Sequence, residues 1–192
     1  MVATSSTSQP RPAKVIHHLT WKQFEELDRS LEDIAGIKLI YLDGTVEVMP
    51  VSEEHEDFKV LFRRLLETYF EVFGIRFYGR GSATMGTEAI KARNEPDEAY
   101  NLEYKKPQPD LVVEITVTSG GVNKLEVYRR LGVSEVWFWE DGTLEIYHLR
   151  DRYEKITQSQ LLPDFPIELF CRYMTYYDQY DAVREFRAAL KR

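Results

Sequence analysis

Hydrophobic and polar positions along this chain repeat in two rhythms, and the switches between them mark its elements. Trp21, Phe24, Leu27 and Leu31 recur at helical spacing, which predicts a helix over 21–32 with Thr20 as its cap and Gln23 at the capping-box position. The runs 37–42 (IKLIYL) and 45–49 (TVEVM) read as strands, joined by Asp43-Gly44, a strong hairpin signal. Ser52 then caps the longest helix, which ends at Gly74 and buries Phe58, Phe62, Leu65 and Tyr69, with Leu61, Leu66 and Phe73 widening the stripe. Residues 74–85 read as a strand followed by a Gly-rich bend, without the Gly-Lys-Ser/Thr that a phosphate loop needs. Further on, 135–140 (EVWFWE) and 143–149 (TLEIYHL) form a second hairpin about Asp141-Gly142, and 152–157 adds an edge strand. Segments 161–174 and 176–192 close the chain as helical packing elements.

Between these halves lies the stretch Asn94 to Lys124. Tyr100–Leu102 reads as a short strand and Leu111–Val117 as a longer one rich in β-branched residues, with the polar turn YKKPQP between them. A hairpin centred between Lys105 and Lys106 sets Asp97 directly opposite Glu114, on one sheet face and roughly 5 Å apart at Cβ. Two carboxylates that close can hold one divalent cation. Asp110 lies on the strand of Glu114 but is displaced from it by roughly 13 Å, too far to share the ion.

After Thr118-Ser119-Gly120-Gly121 comes a helix over 123–133, where Lys124 opens a stripe continued by Val127, Tyr128 and Leu131. Either its ammonium snorkels to water or it points back over the sheet toward the carboxylates. His55 continues the apolar stripe of the long helix into its first turn. It is either a hydrogen-bonded core histidine or a neighbour of the metal, with Glu56 or Glu53 as a further carboxylate. Acidic residues in a first turn also simply favour the helix dipole. Lys91 and Arg93 precede the hairpin, placed to meet phosphate or to remain solvated charge.

A chain of 192 residues suits one domain over 15–192, preceded by a Ser/Thr/Pro-rich arm over 1–14 that is disordered or loosely docked. The formal net charge of −7 argues against a general polyanion binder and leaves room for a local basic groove. Cys171 is the sole cysteine, so no internal disulfide forms and a reducing compartment is the simpler reading. The opening lacks a signal peptide's apolar region, and no run approaches the roughly 20 apolar residues of a membrane span. A soluble, cytoplasmic protein without membrane association is expected.

The run EPDEAY, then PDLVVEIT, KLEVYRRLGVSEVWFW and LEIYHL, resembles the Uma-type restriction endonuclease family of the PD-(D/E)xK nuclease superfamily. The likeness covers roughly Trp21 to Met174, including DGTVEVMP and SEEHED upstream. It implies an α/β (mixed α+β) fold with a restriction endonuclease-like core, a mixed β-sheet flanked by helices. It also implies a divalent-metal phosphodiesterase that takes Mg²⁺ or Mn²⁺ and acts on nucleic acid, DNA foremost. The motif's aspartate maps to Asp97 and its acidic partner to Glu114, while the usual lysine position holds Thr116; in this family the lysine is carried by the following helix, where Lys124 matches. The expected catalytic set is thus Asp97, Glu114, Lys124 and His55, with Asp97, Glu114 and Glu56 as metal ligands. Nucleases of this type often act as homodimers, for which EVWFWE, read as a sheet edge, offers an interface, although a buried core strand explains it as well. The alternative function is a catalytically inactive nuclease-fold module that binds nucleic acid or a protein partner.

Overall fold

A computed structural model describes residues 13–116, 122–176 and 178–191. Its elements are β1 (Lys14–Ile16), α1 (Trp21–Leu31), β2 (Ile37–Leu42), β3 (Thr45–Pro50), α2 (Glu53–Phe73), β4 (Phe77–Gly79), β5 (Met85–Thr87), β6 (Ala92–Asn94), β7 (Glu98–Leu102), β8 (Leu111–Thr116), α3 (Lys124–Leu131), β9 (Glu135–Glu140), β10 (Thr143–Leu149), β11 (Tyr153–Ile156), α4 (Ile167–Met174) and α5 (Gln179–Ala189). The architecture is mixed α+β, with two sheets among the described residues. The smaller, antiparallel sheet runs β1-β3-β2-β6-β5, and the larger runs β11-β10-β9-β8-β7-β4. The larger is mixed because β8 and β9 pair in parallel across the α3 crossover, while its other neighbours are antiparallel.

Local chemistry accounts for most boundaries. Thr20 and Gln23 complete a capping box at α1. At α2, Ser52 accepts a hydrogen bond from the His55 amide, Glu53, Glu54 and Glu56 favour the positive end of the dipole, and Gly74 ends the helix in the left-handed conformation. Both Asp-Gly turns have positive φ at their two central residues, as a two-residue hairpin loop requires.

The two faces of the large sheet bury different partners. Tyr100, Leu111, Val113 and Trp137 pack with Phe62, Leu65 and Phe70 of α2 and with Phe170 and Phe186 of α4 and α5. Each fully buried side chain of that size contributes roughly 1.5–3 kcal/mol. On the other face, Ala99, Val112 and Val136 meet Ile40 of β2, Met85 of β5, Ala92 of β6, and Val127, Tyr128 and Leu131 of α3. The outer face of the small sheet is covered by Phe24 of α1, which packs with Tyr41 and Val46. The chain therefore crosses from one side of the large sheet to the other between β3 and the body of α2, and the first turn of α2 sits at the crossing.

Two expectations change. Lys14, placed in the N-terminal arm, instead opens β1, which pairs with β3; β1 is exposed throughout, so no burial pattern marks it, and the open edge of β3 decides its place. The remaining arm positions 1–12 lie outside the described residues, as do Val117 and the Thr118-Gly121 segment. EVWFWE is not a sheet edge. As β9 it lies between β8 and β10, with Val136, Trp137 and Trp139 buried, so its two tryptophans fill the core. Among the described residues, no helix is long and apolar enough to cross a membrane.

A charged clasp ties α3 to the β2–β3 turn. Arg130 reaches Asp43 at 2.8 Å and the carbonyl of Ile90 at 2.9 Å, while Glu126 accepts from Arg129 and Arg130. Hydrogen bonds from Arg129 and then Arg130 hold the Glu126 carboxyl down at about 2, against an ordinary value of 4.5. A depressed carboxyl stabilises the fold fully above its unfolded value and loses that contribution as pH falls through the folded one. Thermal melts of wild type and Glu126→Gln should therefore differ most at neutral pH and converge between pH 4.5 and 2.

Candidate functional site

The ladder between β7 and β8 begins with Glu98 opposite Val113 and continues through Ala99–Val112 and Tyr100–Leu111. This register sets the next positions outward, Asp97 and Glu114, opposite one another. Alternation turns Glu98 to the α2 side, where Arg63 donates to it at 2.7 Å, and leaves Asp97 and Glu114 facing the small sheet and α3.

Asp97 is almost wholly buried and held from three elements. Its Oδ2 accepts from the Ile115 amide at 2.7 Å and lies 3.2 Å from Nε2 of His55, while Oδ1 pairs with the ammonium of Lys38 on β2. Burial alone would push this carboxyl up, but the His55 hydrogen bond and the Lys38 charge overcome it and hold Asp97 well below the usual carboxylate range. The same pairing works in reverse on Lys38: burial lowers it, and the charges of Asp97 and then Glu114 more than compensate, raising it.

Glu114 is equally enclosed. Its Oε1 accepts from Asn94 Nδ2 at 2.9 Å and from the Tyr128 hydroxyl, and its Oε2 accepts from Lys124 Nζ at 2.7 Å. Asn94 also donates to the Tyr128 oxygen at 2.6 Å, closing a small network. Burial and the neighbouring Glu114 charge keep the Tyr128 hydroxyl protonated, well above its ordinary value, so it remains a donor. Lys124 is the first residue of α3; Asn123 caps that helix, and the preceding amide of Val122 donates at 2.9 Å to the buried Glu47 of β3.

Four sequence-predicted residues therefore line one cleft: Asp97, Glu114, Lys124 and His55, together with Lys38 and Thr116. Glu56, expected as a third metal ligand, does not join them. Its half-exposed carboxylate contacts Nδ1 of His55 at 3.3 Å and Lys59 at 3.5 Å, on the far side of the histidine ring from Asp97. Glu56 directly follows His55, and neighbouring positions on a helix point about 100° apart. Glu53 lines the adjoining groove with Glu56, Lys59 and Glu95. Arg93 turns to Asp28 at 2.7 Å and covers the Phe24 ring, and Lys91 is exposed in a left-handed turn; neither lines the cleft. Asp110 accepts from the Leu102 amide and from Lys106, bracing the β7–β8 turn.

Lys38, Asn94 and Tyr128 were missed as site residues. Lys38 carried a signal: it alternates with Ile40 and Leu42, so a lysine stands on the strand face that those two residues turn into the core. Tyr128 had a weaker one, a hydroxyl one turn after Lys124 on the same helix stripe. For Asn94 the sequence holds no signal.

The donor set suits a hard cation. Among the described residues, Asp97 Oδ1 and Glu114 Oε2 each meet only a lysine ammonium, from Lys38 and Lys124, and the cleft has about 40 Å³ of free space. No group of three or more His, Cys, Asp or Glu side chains is disposed to hold an ion among the described residues. A three-protein-ligand zinc site is therefore a poor match, whereas Mg²⁺ or Mn²⁺, which retains waters and takes substrate oxygens, fits two carboxylates. At Ile115 and Thr116 the cleft adjoins a wider groove of about 600 Å³ bordered by Phe58, Trp139 and Tyr176.

The crystal structure of "a putative nuclease belonging to DUF820" from Anabaena variabilis ATCC 29413 matches at 12% sequence identity and a TM-score of 0.45, over 77% of this chain and 90% of that one. No curated protein matches. A family model with the description "Putative restriction endonuclease" matches residues 21–171, and by that span the chain belongs to the Uma2 family.

Proposed function

We propose that this protein is a divalent-metal-dependent nuclease that hydrolyses phosphodiester bonds of nucleic acid, with DNA as its substrate. The observation that carries the reading is the convergence of Asp97 and Glu114 from neighbouring antiparallel strands into one cleft, with Lys124 reaching Glu114 from the adjoining helix. Membership of a family described as "Putative restriction endonuclease" supports it.

In this reading Asp97 and Glu114 hold Mg²⁺ or Mn²⁺, which when bound supplies a Lewis acid and an acidified water for attack on phosphorus. The chain's own groups do the positioning. The Ile115 amide and His55 pin one oxygen of Asp97, and Asn94 with Tyr128 pins one oxygen of Glu114, so each carboxylate presents its other oxygen in a set direction. Lys124 places a positive charge where negative charge gathers on the phosphoryl oxygens in the transition state, replacing the lysine that Thr116 displaces from the usual motif. His55 acts through Asp97 as a positioning residue.

The alternative, a nuclease-fold module that binds without cutting, draws on Thr116 at the motif lysine position and on the net charge of −7. One assay separates the two. Duplex DNA, single-stranded DNA and RNA are incubated with the protein in Mg²⁺, in Mn²⁺ and in chelator. Ion-dependent cutting that disappears in Asp97→Asn is expected. Nucleic-acid binding that ignores the chelator, with no cutting of any substrate, would establish the module instead.

A further inference from the structure

The oxygens left to face an incoming cation are not open. Oδ2 of Asp97 is taken by the Ile115 amide and His55, so Oδ1 is the one available, and the Lys38 ammonium sits on it. Lys124 stands in the same relation to Oε2 of Glu114. The two ammonium groups arrive from opposite elements, β2 of the small sheet and the start of α3. Lys124 is the lysine that the motif leads one to expect, and Lys38 is not accounted for by it.

Resting on the metal-dependent reading above, we infer that Lys38 competes with the divalent cation for Asp97 and thereby sets how tightly the site holds its ion. Without the ion, Lys38 neutralises a carboxylate that is otherwise costly to bury. When the ion binds, the two positive charges meet at Oδ1 and repel, which drives the ammonium off it. The strand is rigid, with Ile40 two residues on fully buried, but the four-carbon stem is not. The side chain lines both the catalytic cleft and the adjoining groove beside Glu56 and Glu95, so the displaced ammonium stays at the mouth of the site. There it is the charge that meets the substrate phosphate.

Mn²⁺ affinity, measured calorimetrically on the full chain without nucleic acid, tests this directly. Lys38→Met removes the competing charge while keeping an unbranched stem, and is expected to bind Mn²⁺ about tenfold tighter than wild type. Lys38→Arg keeps the charge and is expected to stay within about threefold of wild type. A variant that binds Mn²⁺ where wild type shows none supports the inference equally. Equal affinity in wild type and Lys38→Met overturns it while leaving the metal-dependent reading standing, and absence of Mn²⁺ binding in both removes that reading and this inference together. A measurement on wild type alone guards against a variant that does not fold: acylation of Lys38 by an amine-reactive ester, read by peptide mass, should speed up when Mn²⁺ is saturating. Unchanged labelling with the ion bound overturns the inference.

Discussion

Glu114→Gln is expected to lower ion-dependent cleavage about a thousandfold or more, the scale set by losing a group that stabilises transition-state charge in an enclosed site. The substitution is nearly isosteric. The amide oxygen can still accept from Asn94 and Tyr128, so the network that orients position 114 is retained. The change falls on the other side, where the new NH₂ group faces the Lys124 ammonium and removes both the anionic ligand and the tether of that lysine. Single-turnover cleavage at saturating Mn²⁺, alongside a thermal melt showing a folded protein, measures the effect. Cutting that stays within tenfold of wild type would exclude Glu114 as a ligand.

The largest stability loss is expected far from the cleft. Glu135 is fully buried at the start of β9, opposite Leu111, at the other end of the β8–β9 pair from Glu114. Its two oxygens accept from Trp137 Nε1 at 2.9 Å, Ser159 Oγ at 2.7 Å, and the amides of Gln160 and Leu161 at 2.6 and 3.1 Å. That carboxylate ties down the loop that carries Leu162 and Phe165 into the core. Glu135→Ala strands those donors in a buried setting, where each unsatisfied group costs about 1–3 kcal/mol. Water reaching part of the loop reduces the sum, so a loss on the order of 4 kcal/mol by urea unfolding is expected, with cleavage per folded molecule unchanged. A loss below about 1 kcal/mol would mean that the loop is held by its apolar residues alone.

These two acids show where sequence reasoning reaches and where it stops. Glu114 was legible because a short polar turn between two strands sets a register, and a register puts named residues opposite one another whatever else packs around them. Glu135 was not, because three of its four hydrogen-bond donors, Ser159, Gln160 and Leu161, lie in a loop more than twenty positions away that has no periodicity. Glu56 marks the same boundary from within one helix turn. Its position one residue after His55 was plain, but which of the two faces the cleft depends on how α2 is rotated against the large sheet.

By itself the sequence determined most of the elements, though not the short strands β1, β5 and β6, together with the caps of α1 and α2, the two Asp-Gly turns, the pairing of Asp97 with Glu114, and the start of a lysine-bearing helix just beyond that strand. All of these follow from interactions a few residues apart or from one hairpin's geometry. Only the tertiary structure decided that the small sheet folds over the large one. That stacking delivers Lys38 to Asp97, draws Asn94 and Tyr128 onto Glu114, and puts EVWFWE inside the sheet. Such contacts join surfaces of separate elements, and the choice among stackings rests on burying the whole apolar area at once, a quantity that no local pattern carries.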